Sequence, residues 1–214
     1  MNIKTFICGD LEENCYAVRK NGEIIIVDPG EYTDELKEYV MFNKENVKYV
    51  LLTHCHFDHI GGLFEVKNIC KNAKTVIHIS DEFGLRDNNY NLASQFTLKE
   101  IVPQNADIKV NDGDTLPFGG GNITVMHTPG HTLGSACYII DDVIFSGDTL
   151  FENSFGRTDF PGGSTKELLK SLLKLSNLNG NYRVYSGHGA VSEMNYERNN
   201  NPGILTAIQK KDEL

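Results

Sequence analysis

No tryptophan occurs in this chain, and no stretch approaches the run of about 18 apolar residues that a membrane span requires. A membrane partner is therefore not expected. The opening residues, Met1-Asn2-Ile3-Lys4-Thr5-Phe6, lack the apolar run of a secretory signal, so a cytoplasmic location is expected. The five cysteines, Cys8, Cys15, Cys55, Cys70 and Cys137, follow no regular spacing. An odd, dispersed set of this kind excludes a disulfide framework and fits reduced thiols. Positive charge is also short, with 20 Lys and Arg against 29 Asp and Glu and a net charge of −9. Lys210-Lys211 is the nearest approach to a basic patch, which argues against nucleic acid as a partner. The last residues, Lys211-Asp212-Glu213-Leu214, spell an address for retention in the endoplasmic reticulum. That address is read only on proteins already in the lumen, so a charged tail is the expected reading.

Linkers, low-complexity blocks and repeats are missing too. The 214 residues suffice for one hydrophobic core, so one domain over residues 1–214 is expected. Cys15–Val18 and Glu23–Val27 read as strands around an Asn21-Gly22 hairpin turn. Thr33 should cap a helix running to about Asn43. Val47 to Leu52 reads as a buried strand, and Gly61-Gly62 should start a helix reaching about Asn72. Lys74 to Ile79 should be a strand and Ser80 to Asp87 a helical turn. The polar stretch from about 88 to 104 reads as a mobile loop. Five strand patterns follow between Ile108 and Ser146, with Gly119-Gly120-Gly121-Asn122 as a hairpin turn and not a phosphate cradle. Thr165 to Leu175 carries a leucine stripe and reads as a core-facing helix. A strand from Tyr182 to Tyr185 and a short helix after Pro202 complete the pattern. Strands outnumber helices and alternate with them, which suggests two β-rich halves with helices outside.

The richest segment is Thr53-His54-Cys55-His56-Phe57-Asp58-His59, directly after the apolar run Tyr49-Val50-Leu51-Leu52. It packs three imidazoles and a carboxylate into six residues, a density that points to metal ligation. His54 and His56 are two apart and share a side on extended backbone. Asp58 and His59 can face a second ion. His131, Asp148 and His188 each stand where a strand pattern stops beside a glycine. Joining His131 to the first pair and His188 to the second gives two half-sites, and Asp148 has two oxygens with which to bridge them. Imidazole and carboxylate donors suit zinc, iron or manganese alike. His78 and His127 lie inside strand patterns and read as hydrogen-bonded filler. Cys55 should point away from His54 and His56 and pack. Asp28 either orients a ligand histidine or makes the Asp28-Pro29-Gly30 turn.

The pattern His54-Cys55-His56-Phe57-Asp58-His59, followed by His131, Asp148 and His188 and preceded by Asp28-Pro29-Gly30, resembles the metallo-β-lactamase superfamily. The resemblance runs from about Cys15 to His188. It implies an α/β fold, an αββα sandwich with a dinuclear metal site at one edge of the two sheets. It also implies two divalent ions, zinc first and iron or manganese as alternatives. Asp148 and the missing export signal set the chain apart from the true β-lactamases. Gly147-Asp148-Thr149-Leu150-Phe151 and Gly156–Ser164 are similar to small hydrolases related to the type II glyoxalases. That likeness implies hydrolysis of a small-molecule thioester by a hydroxide held between the ions, with Asp58 as both ligand and proton acceptor. Only about 26 residues follow His188. The basic C-terminal extension that holds glutathione in the longer enzymes therefore has no full counterpart. Arg157 is the candidate for a substrate carboxylate, with a salt bridge to Asp159 as the competing role. Alternatives on the same site are a lactonase, a phosphodiesterase, an iron-dependent oxidoreductase handling oxygen or persulfide, and a non-catalytic metal sensor.

Overall fold

The computed structural model describes residues 1–97 and 101–214. Two six-stranded sheets lie face to face. The first comprises β1 (Asn2–Cys8), β2 (Glu13–Lys20), β3 (Glu23–Val27), β4 (Val47–Leu51), β5 (Lys74–His78) and β6 (Ile108–Val110), in that order. The second comprises β7 (Thr115–Phe118), β8 (Gly121–His127), β9 (Ala136–Ile140), β10 (Val143–Gly147), β11 (Arg183–Ser186) and β12 (Ser192–Glu193), also in sequential spatial order. The N-terminal hairpins pair antiparallel, whereas β3 through β6 run parallel. Parallel neighbours need crossovers. Those between β3 and β4 and between β4 and β5 carry α1 (Asp34–Asn43), α2 (Phe57–Ile60) and α3 (Leu63–Ile69).

The two-residue period of a strand explains the layering. Ile25 and Val27 turn inward to meet Tyr138, Val125 and Phe145 of the second sheet. Ile24 and Ile26 turn outward under Leu36, Val40, Leu63 and Val66 of the helices. On the far face, Cys137, Ile144 and Val184 are covered by the leucine stripe of α5 (Thr165–Ser176) and by Ile204 of α7 (Pro202–Gln209). The result is the expected αββα sandwich. Local signals act as read: Asn21 and Gly22 both take positive φ in the hairpin. Thr33 and Ser164 accept backbone N–H groups at the starts of α1 and α5.

Two expectations need correction. Of the helix expected from Gly61 to about Asn72 only Leu63–Ile69 forms, as α3; α2 precedes Gly61, and α3 stops at Ile69 because Cys70 leaves the helical region. The stretch expected as a mobile loop at 88–104 is packed at Tyr90 to Ala93 and at Ile101, while Phe96 and Val102 are exposed. Asn91 is fully buried, holds the Gly84 carbonyl at 2.9 Å and caps α4 (Ala93–Phe96) at 3.0 Å; residues 98–100 of that stretch lie outside the described residues. Strand β1 and helix α6 (Met194–Asn200) were not anticipated. Their sequences mix polar and apolar residues on the exposed face, Ile7 and Tyr196 among them, and carry no strong period.

Candidate metal centre

Strand ends build the centre. After β4 the chain turns through Thr53 to His56 and enters α2. Asp28, at the end of β3, fixes that turn. Its carboxylate accepts the Thr53 N–H at 2.7 Å, the Thr53 hydroxyl at 2.5 Å and the His59 Nδ1–H at 3.0 Å. It thus both closes the turn and orients His59, so the two roles foreseen for it coincide. The second sheet supplies His131 after β8, Asp148 after β10 and His188 after β11. A bulge between Phe145 and Gly147 carries Asp148 out of the ladder. Gly147 takes φ +48°, and a Cβ there would sit 2.3 Å from the Thr53 hydroxyl oxygen. At Gly187 a Cβ would lie 2.3 Å from Asp148 Oδ1. Glycine at both positions lets the two sheets' loops close on one another.

The seven predicted residues come together in two groups. The donor atoms of His54, His56 and His131 lie within 4.8 Å of one another, as do those of Asp58, His59 and His188. Asp148 stands between the groups, with Oδ1 3.3 Å from His59 Nε2, and Oδ2 3.6 Å from His131 Nε2 and 3.8 Å from His188 Nε2. Asp58 Oδ2 is 3.3 Å from His188 Nε2.

The outer hydrogen bonds set which nitrogen faces inward. The carbonyls of Arg157 and Leu11 accept from His131 Nδ1 at 2.8 Å and His188 Nδ1 at 3.0 Å. The Thr53 oxygen spends its proton on Asp28, so it accepts from His54 Nδ1 at 3.1 Å. With Asp28 taking the His59 Nδ1 proton, four histidines turn Nε2 toward the centre. His54 Nε2 and His131 Nε2 both crowd His56 Nδ1, at 3.1 and 2.9 Å. One His56 proton can serve only one of them. His59 Nε2 and Asp148 Oδ1 are buried without any hydrogen bond. Converging lone pairs and orphaned buried donors of this chemistry fit a cation, whose binding removes the desolvation cost of leaving them unpaired.

Electrostatics divides the groups. Burial pushes the His54 pKa well down and the His56 pKa to about 3, with neighbouring imidazoles adding to it, so these two imidazoles are neutral and ready to ligate. Burial works against a charged His59 and His188, yet Asp148 and Asp58 outweigh it and raise both pKa values. Burial likewise opposes ionised Asp58 and Asp148, but His59 and its neighbours lower both, Asp148 the more strongly. The carboxylates thus draw positive charge into the second group.

Residues invisible to pattern reading support the centre. Asp81, fully buried, accepts the Cys55 N–H at 3.2 Å, the Thr132 hydroxyl at 2.6 Å and the Gly134 N–H at 2.7 Å, tying the His54–His56 loop to the His131 loop. Glu13 is also fully buried, with Oε1 3.8 Å from His59 Nδ1. Neither stands in a motif; Asp81 follows a strand pattern directly, its one legible signal. Cys55 packs in the core as expected. His78 and His127 stack on each other at 3.8 Å, away from the centre. Arg157 pairs bidentately with Asp159 at 2.7 and 2.6 Å, and its guanidinium lies 3.9 Å from the Phe160 ring. Among the described residues after His188, Arg198 is spent on the carbonyls of Ser176, Gly180 and Leu178.

Two sandwiched sheets with histidines and aspartates gathered at their shared rim define a metallo-hydrolase. The chain belongs to the metallo-β-lactamase superfamily, whose family model matches residues 8–188. It is 33% identical to the hydroxyacylglutathione hydrolase GloC of Haemophilus influenzae, over 94% of this chain and 97% of that protein. Among solved structures it resembles the BLEG-1 B3 metallo-β-lactamase, with TM-score 0.88 and 33% identity over 95% of this chain and 99% of that one. It also resembles TTHA1623 in a di-iron-bound form, with TM-score 0.82 and 28% identity over 93% and 98%. Among the described residues no helix is long and apolar enough to cross a membrane.

Proposed function

We propose that this protein is a dinuclear metal-dependent thioesterase of the hydroxyacylglutathione hydrolase type. The observation that carries the reading is Asp148, within 3.3 to 3.8 Å of histidines in both donor groups. In this reading His54, His56 and His131 would hold one divalent ion and Asp58, His59 and His188 a second, with Asp148 available to both. Bound divalent ions would supply water with a pKa near 7 and an electrophile for the carbonyl.

The chain's own groups do the rest. Asp58 uses one oxygen toward His188 and is placed to take a proton from the attacking water. Asp28, Thr53 and the carbonyls of Leu11 and Arg157 hold the imidazoles in one tautomer and one orientation. The departing thiolate is a stable anion and needs no separate acid. Zinc is the first expectation. The likeness to a di-iron protein supports iron as the alternative, and with it an oxidoreductase acting on oxygen or persulfide.

The likeness to GloC favours thioesters, and the likeness to a B3 β-lactamase supports β-lactams as the second reading. The test is hydrolysis of S-lactoylglutathione, a neutral-thiol thioester and a β-lactam by protein holding two metal ions. A kcat/KM above about 10⁴ M⁻¹s⁻¹ on a thioester, with the lactam near background, supports the proposal. The reverse ranking replaces it with the lactam reading.

A further inference from the structure

A groove of about 680 Å³ opens beside the centre. Asp58 and Leu11 line it, and both touch His188, through Asp58 Oδ2 at 3.3 Å and the Leu11 carbonyl at 3.0 Å. The groove therefore begins at the His188 half of the site. Phe57, Phe64, Phe96 and Val102 continue its wall. Large apolar side chains exposed to water are gathered here. Leu11 is 54% exposed, Phe96 56%, Phe64 38% and Val102 43%. Four exposed apolar side chains lining one groove beside the candidate centre are what an apolar binding surface requires. Its size suits a ligand far larger than a lactoyl group.

Charge decides which part of a thioester enters. Asp10 and Glu65 also line the groove, and both repel an anionic fragment. The thiol halves of common biological thioesters are anionic. The opposite flank differs. There the Phe160 ring lies 5.9 Å from His56 and carries the exposed Arg157 guanidinium at 3.9 Å. Phe96 meets Phe160 edge-on at 5.6 Å, between the two flanks. An anionic thiol half is repelled from the groove and meets a cation at Arg157 by displacing Asp159, whereas an apolar acyl half fits the groove.

Resting on the thioesterase reading, we propose that the groove beside Asp58 is the acyl subsite. Its substrates are thioesters of uncharged, apolar acyl groups longer than lactoyl. Hydrolysis breaks the bond between the acyl carbon and sulfur; water supplies the oxygen of the product acid and the protons released, and the thiol leaves without any change of oxidation state.

The test is a series of thioesters on one neutral thiol, N-acetylcysteamine, assayed with the metal-loaded full chain. Acetyl, lactoyl, butyryl, hexanoyl and succinyl groups are compared. The proposal predicts that kcat/KM climbs about threefold to fourfold per methylene buried, and at least tenfold from acetyl to hexanoyl. Succinyl should fall below butyryl. In Phe64→Asp the hexanoyl-to-acetyl ratio should drop toward one. Acetyl or lactoyl turned over as fast as hexanoyl, or succinyl preferred, overturns the acyl subsite while leaving the thioesterase reading intact. If no thioester is hydrolysed, the thioesterase reading fails, and calorimetry judges the groove alone. Hexanoate binding at least tenfold tighter than acetate, with the difference lost in Phe64→Asp, upholds an apolar subsite. Equal binding of the two acids overturns it.

Discussion

Asp28 shows how much a single carboxylate can decide. It is the common acceptor for Thr53 and His59, and through Thr53 it also sets the His54 tautomer. Asp28→Ala should therefore lower metal affinity by about 10- to 100-fold, read by zinc titration against a chromophoric chelator. His78 offers a test away from the centre. Burial, with the stacked His127 adding to it, lowers its pKa from 6.5 to about 4. Between those values the unfolded chain binds the proton and the folded chain does not. Stability is therefore lost as pH falls from about 7 to about 4, and levels off below that. His78→Gln should flatten this slope in urea midpoints measured from pH 4 to 7. An unchanged slope would remove His78 from the acid response.

At the scale of elements, the centre is four strand ends locked by side chains that carry no motif. Asp81 is the clearest case, joining the loop after β4 to the loop after β8 through three hydrogen bonds. Asp81→Asn replaces an acceptor-only group with one that must also place two N–H donors in a buried pocket. It should cost at least about 2 kcal/mol of stability. It should also weaken the His54–His56–His131 group more than the Asp58–His59–His188 group, which metal titration of the two groups would resolve. The layering and most strands were legible because Ile24 to Val27 is an unbroken apolar run, as a strand buried on both faces requires, and the leucine stripe of α5 follows the helical period. The seven candidate ligands were legible because short-range spacing and strand-end glycines advertise them. Asp81, Glu13 and the carbonyls of Leu11 and Arg157 were not. Their roles come from long-range packing, and a backbone carbonyl has no sequence signature. The 88–104 stretch misled because Asn91 is polar in sequence yet buried as a bridge to Gly84 and α4.

For the whole molecule, the two sheets share one inner core but meet at the rim through groups that repel or stand unpaired without a cation. Ligands from both sheets make metal binding a clamp on the sandwich. Chelation should lower the melting temperature. At free metal about 1,000 times Kd the stabilisation is about 4 kcal/mol, or about 8–16 °C for a chain of this size. Restored metal should bring the melt back, and a melt indifferent to chelator would contradict the clamp.

The most direct measurement is thioester hydrolysis against metal equivalents, using apoprotein loaded stepwise with zinc while bound metal is counted. Activity should rise steeply only as the second equivalent binds, and Asp148→Ala should lose at least 100-fold. Protein with two bound ions that hydrolyses no thioester, or full activity at one equivalent, would contradict it.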